Sequence, residues 1–373
     1  MKEKGWIIIW DFEDKLEEMA VDATAKVQLQ DGSIKPIEKI LEEDADESVH
    51  EYIRTNVFTA TRNFVHRVNC FKRDIMMGIN SPMSIKKFSW KVEYQGRGAG
   101  HIHGNLWCDL KKVINNNSHQ MDSLESLERA FKALRQNGEL SGEEEQSLIK
   151  FAEMFTTCTL NGEKAAEHLR NEENKRDAGK QIIQIVKQCQ IHHHTKTCKK
   201  GGGNSCRFSF PKYPMWKTII AGGVSGETPE DKEEKIARNH SILRKVKEIL
   251  EIEEKVESIL SDYNLEEENK EEYEVNRKER IVKLLKEAEV TDQEYESAIR
   301  ESSKRGVTVI LARDITETMV NNYNGEWIRA WNANLDLQVC LDFFSVITYI
   351  TEYFTKVIYL NTGYIFHIYP IYF

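Results

Sequence analysis

Apolar and polar residues alternate from Asn56 to about Leu110, and this period of two is typical of strands that bury one face. Two strands are predicted most clearly, FSWKVEY at 88–94 and HIHGNLW at 101–107. The glycine-rich stretch GRGAG at 96–100 is predicted to be the loop of a hairpin between them. This part of the chain therefore predicts an antiparallel pair of half-buried strands.

Two later segments, 307–312 and 333–339, also have the composition of strands. Side chains alternate between the two faces of a strand, so Asn334, Asp336 and Gln338 share one face and the intervening leucines share the other. One face of the predicted sheet is therefore polar, and we expect it to border a functional site.

A period near 3.6 residues predicts helices over 120–187, 227–302 and 341–356. In the second range, the following apolar residues keep mostly to one side: Ile242, Val246, Ile249, Val256, Ile259 and Leu260. Such a charged helical segment either binds a partner as a coiled coil or packs one apolar stripe on the core. The pattern lapses near Asn264–Lys270, which favours packing.

Composition changes this picture mainly through the distribution of charge. The 373 residues carry a net charge of −9, which does not indicate a nucleic-acid-binding protein. However, residues 187–217 contain seven Lys or Arg and no Asp or Glu, whereas acidic residues concentrate at 42–51, 143–145 and 227–302. Because local charge decides contact with phosphate, the basic stretch is a candidate for nucleic-acid binding.

The seven cysteines do not form the disulfide framework of a secreted protein. Three of them, Cys189, Cys198 and Cys206, lie among three histidines, which favours metal binding in a reducing compartment. The apolar run near the N-terminus is too short for a signal peptide, and no stretch upstream of the C-terminal tail is long enough to span a membrane. We therefore expect a soluble intracellular protein with no membrane partner.

The stretch KVEYQGRGAGHIHGNLW places two histidines, His101 and His103, around one apolar residue. If the hairpin loop closes symmetrically, Gln95 lies opposite His101 and Glu93 lies opposite His103. The period of two then puts all four side chains on one face. Two imidazoles and an oxygen donor form a site for Mg²⁺ or Mn²⁺ with open positions for phosphate oxygens. Glu93 is the preferred third ligand and Gln95 the second choice.

Two tyrosines, Tyr349 and Tyr353, lie four residues apart on the last predicted helix. This spacing places both phenols on one helix face, where they can reach one metal-bound phosphate. Lys356 lies near the same side and can steady that phosphate. A histidine pair is by itself more often structural, and aromatic residues at this spacing are usually core. The combination of the two motifs is what indicates cleavage of a phosphodiester.

The Cys/His-rich stretch 188–217 offers a closed set of four metal ligands: His192, His194, Cys198 and Cys206. Cys189 and His193 are further donors. Thiolates combined with imidazoles favour structural Zn²⁺, whereas the alternative is a basic loop with incidental cysteines. Basic and aromatic residues nearby suit single-stranded DNA through phosphate contact and base stacking: Lys199, Lys200, Arg207, Phe208 and Lys212.

Together these motifs resemble the replication-initiator domain of Helitron rolling-circle transposons, within the wider His-hydrophobic-His (HUH) endonucleases. The resemblance rests on EYQGRGAGHIHG and YITEYFTK, and on HHHTKTC…CRFSFPKYP at 192–214 and NNYNGEWIRAWNANLDLQ at 321–338. It covers about 56–356, discontinuously. The following residues stand at motif positions of that family: Glu93, Tyr94, Gln95, His101, His103, Tyr349, Tyr353 and Lys356.

The resemblance implies an α+β fold, with a compact antiparallel HUH-type sheet flanked by helices and a metal that polarises the scissile phosphate. A tyrosine would attack phosphorus, leaving a 5′-phosphotyrosine and a free 3′-hydroxyl, and the second tyrosine would allow a second strand transfer. The implied partner is single-stranded DNA and the implied location is the nucleus. The chain contains no G-x-x-x-x-G-K-[ST] loop, so it is not expected to be an ATPase, and any helicase would be supplied separately.

The predicted organisation follows from these motifs. Residues 1–55 are an acidic segment with no assigned function, and the apolar tail 357–373 is expected not to be native coding sequence. Between them lie, in order, the first half of the endonuclease domain with the metal site (56–187), the basic knuckle (188–217), a charged helical segment (218–306) and the second half with the tyrosine helix (307–356). The expected function is DNA nicking and strand transfer. The alternatives are a catalytically inactive, zinc-stabilised DNA-binding remnant and a chain that does not fold.

Overall fold

The structure is a computed structural model. It describes residues 57–78, 81, 83–94, 100–116, 124–136, 139–169, 174–194, 198, 206–226, 228–265, 268–303, 306–342, 346, 348 and 351, and the backbone of 6–13, 26–28 and 34–36. Over this part of the chain the fold mixes helices with small antiparallel sheets. No helix found there is both long enough and apolar enough to cross a membrane.

The strands are β1 (Trp6–Glu13), β2 (Lys26–Gln28), β3 (Ile34–Pro36), β4 (Ile85–Tyr94), β5 (Gly100–Cys108), β6 (Ile219–Ala221), β7 (Thr308–Ile310) and β8 (Leu335–Val339). The helices are α1 (Val57–Cys70), α2 (Leu110–Asn116), α3 (Leu124–Arg135), α4 (Gly142–Phe155), α5 (Gly162–Ala165), α6 (Lys175–Cys189), α7 (Pro229–Leu250), α8 (Glu253–Leu260), α9 (Lys270–Glu287), α10 (Asp292–Arg300) and α11 (Gly325–Trp331). A π-helical segment, Phe71–Met76, extends α1, and a 3-10 turn spans Ile315–Glu317.

The main sheet has four antiparallel strands in the order β4-β5-β1-β8. The predicted β4–β5 hairpin and the predicted strand near the end of the chain are both present. Although the sequence of residues 1–55 indicates no function, β1 lies between β5 and β8 and joins the two halves of the sheet. The other predicted strand, β7, pairs with β6 in a separate two-stranded sheet.

The alternation of apolar and polar residues from Asn56 predicts strands, but this prediction is wrong over α1 and the π-helical segment. There, Phe64, Val68 and Phe71 are buried with the spacing of one helical face. The Phe64 ring packs against the start of β5, where a Cβ on Gly100 would lie 2.6 Å from it. A glycine is therefore required immediately before His101.

The first core lies behind the main sheet and includes the inward residues of β5 and β8. Ile102, Leu106 and Leu335 are at most 1% exposed. Edge-to-face contacts join Phe71 to two tryptophans of α11, with ring centres 5.2 Å apart for Trp327 and slightly further for Trp331. The opposite face of β5 carries the polar residues His101, His103 and Asn105.

The charged segment forms a second core of its own from α7, α8, α9 and α10. The predicted stripe contributes Val246, Ile249 and Ile259, which are all buried. The lapse in the pattern is a real break, because α8 ends at Leu260 and α9 begins after a capping box on Asn269. The stripe therefore packs within the protein, as the sequence favoured.

A buried ionic network ties this second core to the 3-10 turn. Arg280 of α9 lies 2.7 Å from a carboxylate oxygen of Glu268 and 2.7 Å from one of Asp314. The side chains of Arg280 and Asp314 are 0% exposed, and that of Glu268 is 6% exposed. The network fixes the beginning of a segment, 314–320, that also holds the knuckle.

Candidate metal centres

The two histidines of β5 lie on the polar face of the main sheet. Cross-strand pairing puts Glu93 opposite His101 and Lys91 opposite His103, while Ile102 between the histidines is 1% exposed on the core side. Because cross-strand partners share a face, Glu93 lies on the histidine side of the sheet, as predicted.

The register of the hairpin differs from the prediction, which placed Glu93 opposite His103. Strand β4 continues to Tyr94, which pairs with the first residue of β5, so every partner is shifted by two residues. An even shift leaves each side chain on its original face, and this is why the predicted face is correct although the register is wrong. Gln95, the predicted partner of His101, lies outside the described residues.

Glu93 contacts His103 diagonally across the hairpin, with Oε2 3.2 Å from Nε2. His103 is 4% exposed, and the centre of its ring lies 4.4 Å from that of His101. A carboxylate beside two imidazoles is a donor set that Mn²⁺ or Mg²⁺ can use. Within the described part of the chain, however, these three side chains do not bring their ligand atoms together as a group, so this metal remains a prediction.

Asn105, two residues after His103, is a further polar residue on this face and is not among the predicted site residues. It is 0% exposed, and neither its amide oxygen nor its amide nitrogen has a hydrogen-bond partner. Leaving such a buried group unpaired costs free energy, so it is suited to hold a buried water. The alternation of 101, 103 and 105 along one strand was the signal that could have identified it.

The backbone register places two acidic positions of β1 beside the histidines. Asp11 pairs with His103, and Glu13 pairs with His101. On its other side, Asp11 pairs with Asp336 of β8. These acidic positions were also missed, although the alternation in WDFED was a sequence signal for them.

The predicted polar face of β8 joins the same side of the sheet through β1. Asp336 accepts a hydrogen bond from Gln338 Nε2 at 3.0 Å, and Asn334 Oδ1 lies 3.3 Å from Asn321 Nδ2. Asp336 is in register with the row that contains His103, two strands away. The sheet thus carries polar residues of both halves of the chain on one face.

The predicted nucleophiles Tyr349 and Tyr353 lie outside the described residues, as does Lys356. Helical structure is present at Val346, Thr348 and Thr351, which agrees with a helix in this region. Val346 is 2% exposed and its amide bonds to the Asp342 carbonyl at 3.4 Å. The positions of the two phenols therefore remain a prediction.

The four predicted knuckle ligands come together, since the ligand atoms of His192, His194, Cys198 and Cys206 all lie within 4.8 Å of one another. Cys198 Sγ lies 3.5 Å from His194 Nδ1, and Cys206 Sγ lies 3.4 Å from His192 Nε2. Typical zinc bond lengths place neighbouring ligand atoms of a tetrahedral site about 3.3–3.8 Å apart. The donor set and its spacing therefore fit a metal such as zinc. Neither Cys189 nor His193 belongs to the group.

Backbone pairing with the segment 314–320 holds the knuckle together. The amide of His192 donates to the Met319 carbonyl at 2.7 Å, and that of Lys212 donates to the Thr318 carbonyl at 2.7 Å. The Phe210 ring stacks on the His192 ring with centres 4.4 Å apart. Ligands separated by fourteen residues are thus brought to one place by a third segment of chain.

The electrostatics of the knuckle favour the metal-binding forms of its ligands. Burial, together with the positive potential of His194 and Lys212, lowers the pKa of His192 to about 4, so its imidazole is neutral at pH 7. Burial alone would raise the pKa of the Cys206 thiol, but hydrogen bonds from the Phe210 and Phe208 amides bring that pKa below its usual value. Neutral imidazole and thiolate are the forms that bind zinc.

Three of the predicted DNA-binding residues are described. Arg207 and Phe208 are exposed, with the guanidinium carbon 4.4 Å from the centre of the ring. Lys212 is half-buried, and its ammonium group donates to the Phe208 carbonyl at 2.7 Å, so it also supports the knuckle. Lys199 and Lys200 lie outside the described residues.

Comparisons of the chain with models of protein families, with curated proteins and with solved structures found no match. The functional interpretation therefore rests on the residues and the geometry described above.

Proposed function

We propose that the chain is a metal-dependent, nuclear enzyme of the HUH type that nicks single-stranded DNA and transfers the strand through a 5′-phosphotyrosine intermediate. The observation that carries the proposal is the contact of Glu93 with His103 on the polar face of the main sheet, beside His101. A strongly buried imidazole held by a carboxylate is oriented before any substrate arrives.

Each residue of this face has a role in the proposed reaction. His101, His103 and Glu93 would hold Mg²⁺ or Mn²⁺, which would neutralise charge on the scissile phosphate. Asn105 would hold a buried water at the site through its unpaired amide. One of the two phenols of the last helix would attack phosphorus as its proton leaves, so that the P–O bond to the 3′ oxygen breaks and a 3′-hydroxyl is released.

The connection between the sheet and the last helix supports this arrangement. Strand β8 carries Asp336 in register with the histidine row, and it ends at Val339, seven residues before the helical Val346. The predicted tyrosine helix would therefore follow directly from a strand of the sheet that carries the histidines.

The tyrosine pair provides the direct test of the reaction. We expect Tyr349→Phe and Tyr353→Phe each to leave partial formation of a covalent protein–DNA adduct, because the remaining phenol can still attack. The double variant should form none, which corresponds to a loss of at least a hundredfold in yield. A labelled single-stranded oligonucleotide with Mn²⁺, followed by a denaturing gel, measures the adduct. Adduct persisting in the double variant would place the nucleophile elsewhere.

We also propose that the knuckle holds one structural Zn²⁺. Its support is the approach of four suitable ligand atoms to within 4.8 Å of one another. Because zinc binding to such a site contributes directly to folding, Cys206→Ala should lower the zinc content from close to one ion per chain to near zero. Elemental analysis of protein purified without chelator measures this. Cys70→Ala in α1 is the matched control, and unchanged zinc in Cys206→Ala would contradict the site.

The second candidate function is that of a catalytically inactive, zinc-stabilised DNA-binding remnant. It is favoured by one observation: the knuckle ligands converge, whereas His101, His103 and Glu93 do not form such a group within the described part of the chain. Binding of single-stranded DNA without adduct formation by the unmodified protein, at any Mg²⁺ or Mn²⁺ concentration, would support it.

A further inference from the structure

A cavity of about 530 Å³ lies between α4, α5 and the N-terminal half of α9, away from both candidate metal centres. Apolar and aromatic side chains line part of it, among them Ile149, Leu311, Trp216 and Tyr323. Its volume lies in the range of about 300–1,000 Å³ that is usual for small-molecule sites. The cavity is therefore large enough for an organic ligand.

The wall of the cavity contains a buried guanidinium group that has no hydrogen-bonded carboxylate partner among the described residues. Arg277 of α9 is 4% exposed, and its Nε and Nη1 have no hydrogen-bond partner. Its Nη2 donates to the Trp216 carbonyl at 2.9 Å, and the group lies 5.3 Å from the centre of the Tyr273 ring. Neither contact supplies a negative charge, and Glu274, which interacts electrostatically with Arg277, is hydrogen-bonded to Lys164 instead. A buried arginine is normally paired, because an isolated buried charge is costly.

Three of the lysines that line the same cavity have carboxylate partners. Lys164 lies 2.7 Å from Glu274, and Lys270 lies 2.8 Å from Glu167. Lys217 is likewise within 2.9 Å of Glu296. The carboxylates nearest these lysines are thus already engaged, and Nε and Nη1 of Arg277 remain donors without an acceptor.

His168 adds a second polar group without a partner on the wall of the cavity. Its Nδ1 is buried and makes no hydrogen bond. Burial, with the nearby Lys270 and Lys164, lowers the pKa of this imidazole, so it is neutral at pH 7 and can donate or accept one hydrogen bond. Two side chains with unpaired polar atoms, Arg277 and His168, thus line one cavity.

We propose that this cavity binds a small organic phosphate about the size of a mononucleotide, with Arg277 as the phosphate-binding residue and the aromatic wall in contact with the organic part. Arginine suits phosphate because its planar fork offers several N–H donors to several oxygens. The site is separate from the nicking reaction, and its test does not depend on that activity.

The test is isothermal titration of the full-length protein with adenosine 5′-monophosphate, inorganic phosphate and adenosine. We expect adenosine monophosphate to bind most tightly, inorganic phosphate more weakly, and adenosine not at all. Arg277→Met should raise the Kd for the monophosphate at least tenfold, because it removes the charge-assisted hydrogen bonds. The matched control is Lys278→Met, which removes the same charge from the exposed neighbouring position and should leave Kd within twofold.

The melting temperature without ligand separates a binding role from a structural one. Removing an unpaired buried charge should leave the melting temperature of Arg277→Met unchanged or raised. Arg277→Lys keeps the charge and should recover part of the affinity. Equal affinity of Arg277→Met and the unmodified protein, or no saturable binding of either phosphate, would overturn the proposal. Binding of inorganic phosphate alone would overturn the part that concerns an organic ligand.

Discussion

His103→Ala is expected to reduce nicking of a single-stranded oligonucleotide at least a hundredfold, while binding of the same oligonucleotide stays within about twofold. The imidazole is 4% exposed and contacts Glu93 at 3.2 Å, so it can act in binding a metal but has little surface with which to contact DNA directly. Loss of a metal ligand removes charge neutralisation at the scissile phosphate, whereas affinity for DNA depends mainly on exposed cations.

Two measurements are needed for this prediction. A gel assay with a labelled oligonucleotide and Mn²⁺ measures nicking, and fluorescence anisotropy without metal measures binding. His240→Ala, at an exposed position of α7, is the matched control and should change neither. Equal losses of nicking and binding in His103→Ala would indicate a structural role for this residue. Nicking that continues undiminished in EDTA would remove the metal from the mechanism.

The histidine face was predictable because it depends only on local alternation. A shift of the β4–β5 register by an even number of residues leaves every side chain on the same face of the sheet. The observed register differs from the predicted one by two residues, so His101, His103 and Glu93 still share a face. The knuckle was predictable for a related reason. Its ligand types identify the set, and cysteine and histidine at this density favour metal over other uses.

Local alternation did not predict which distant segments of the chain contribute to the sheet and its histidine face. Strand β1 lies in a short acidic stretch, and only its pairing with β5 and β8 shows that Asp11 belongs to the histidine row. Helix α1 was missed because its few apolar residues fit a period of two about as well as a helical period. Asn105 could have been found from alternation, but its lack of partners depends on what packs over it.

The ionic partners of buried arginines were likewise not predictable from the sequence. Arg277 and Arg280 lie three residues apart on α9 and have the same residue type. One has two buried carboxylate partners from outside the helix, and the other has none. Periodicity places both on one face, but only the tertiary fold decides which charge is neutralised.

This contrast leads to the second large effect that we expect. Arg280→Met should lower the free energy of unfolding by about 3–5 kcal/mol, because it leaves Glu268 and Asp314 buried without a positive partner. Asp314 also caps the 3-10 turn by accepting from the Thr316 amide at 3.1 Å, so the loss should reach the segment that holds the knuckle.

Urea unfolding followed by circular dichroism measures the change in the free energy of unfolding, and hydrogen exchange shows whether 314–320 loses protection. Arg244→Met is the matched control. That residue forms an exposed ion pair with Glu248, with both side chains 63% exposed, and its loss should cost less than about 1 kcal/mol. A loss as small for Arg280→Met as for Arg244→Met would mean that water reaches the two carboxylates. The network would then not be the connection that joins the second core to the knuckle.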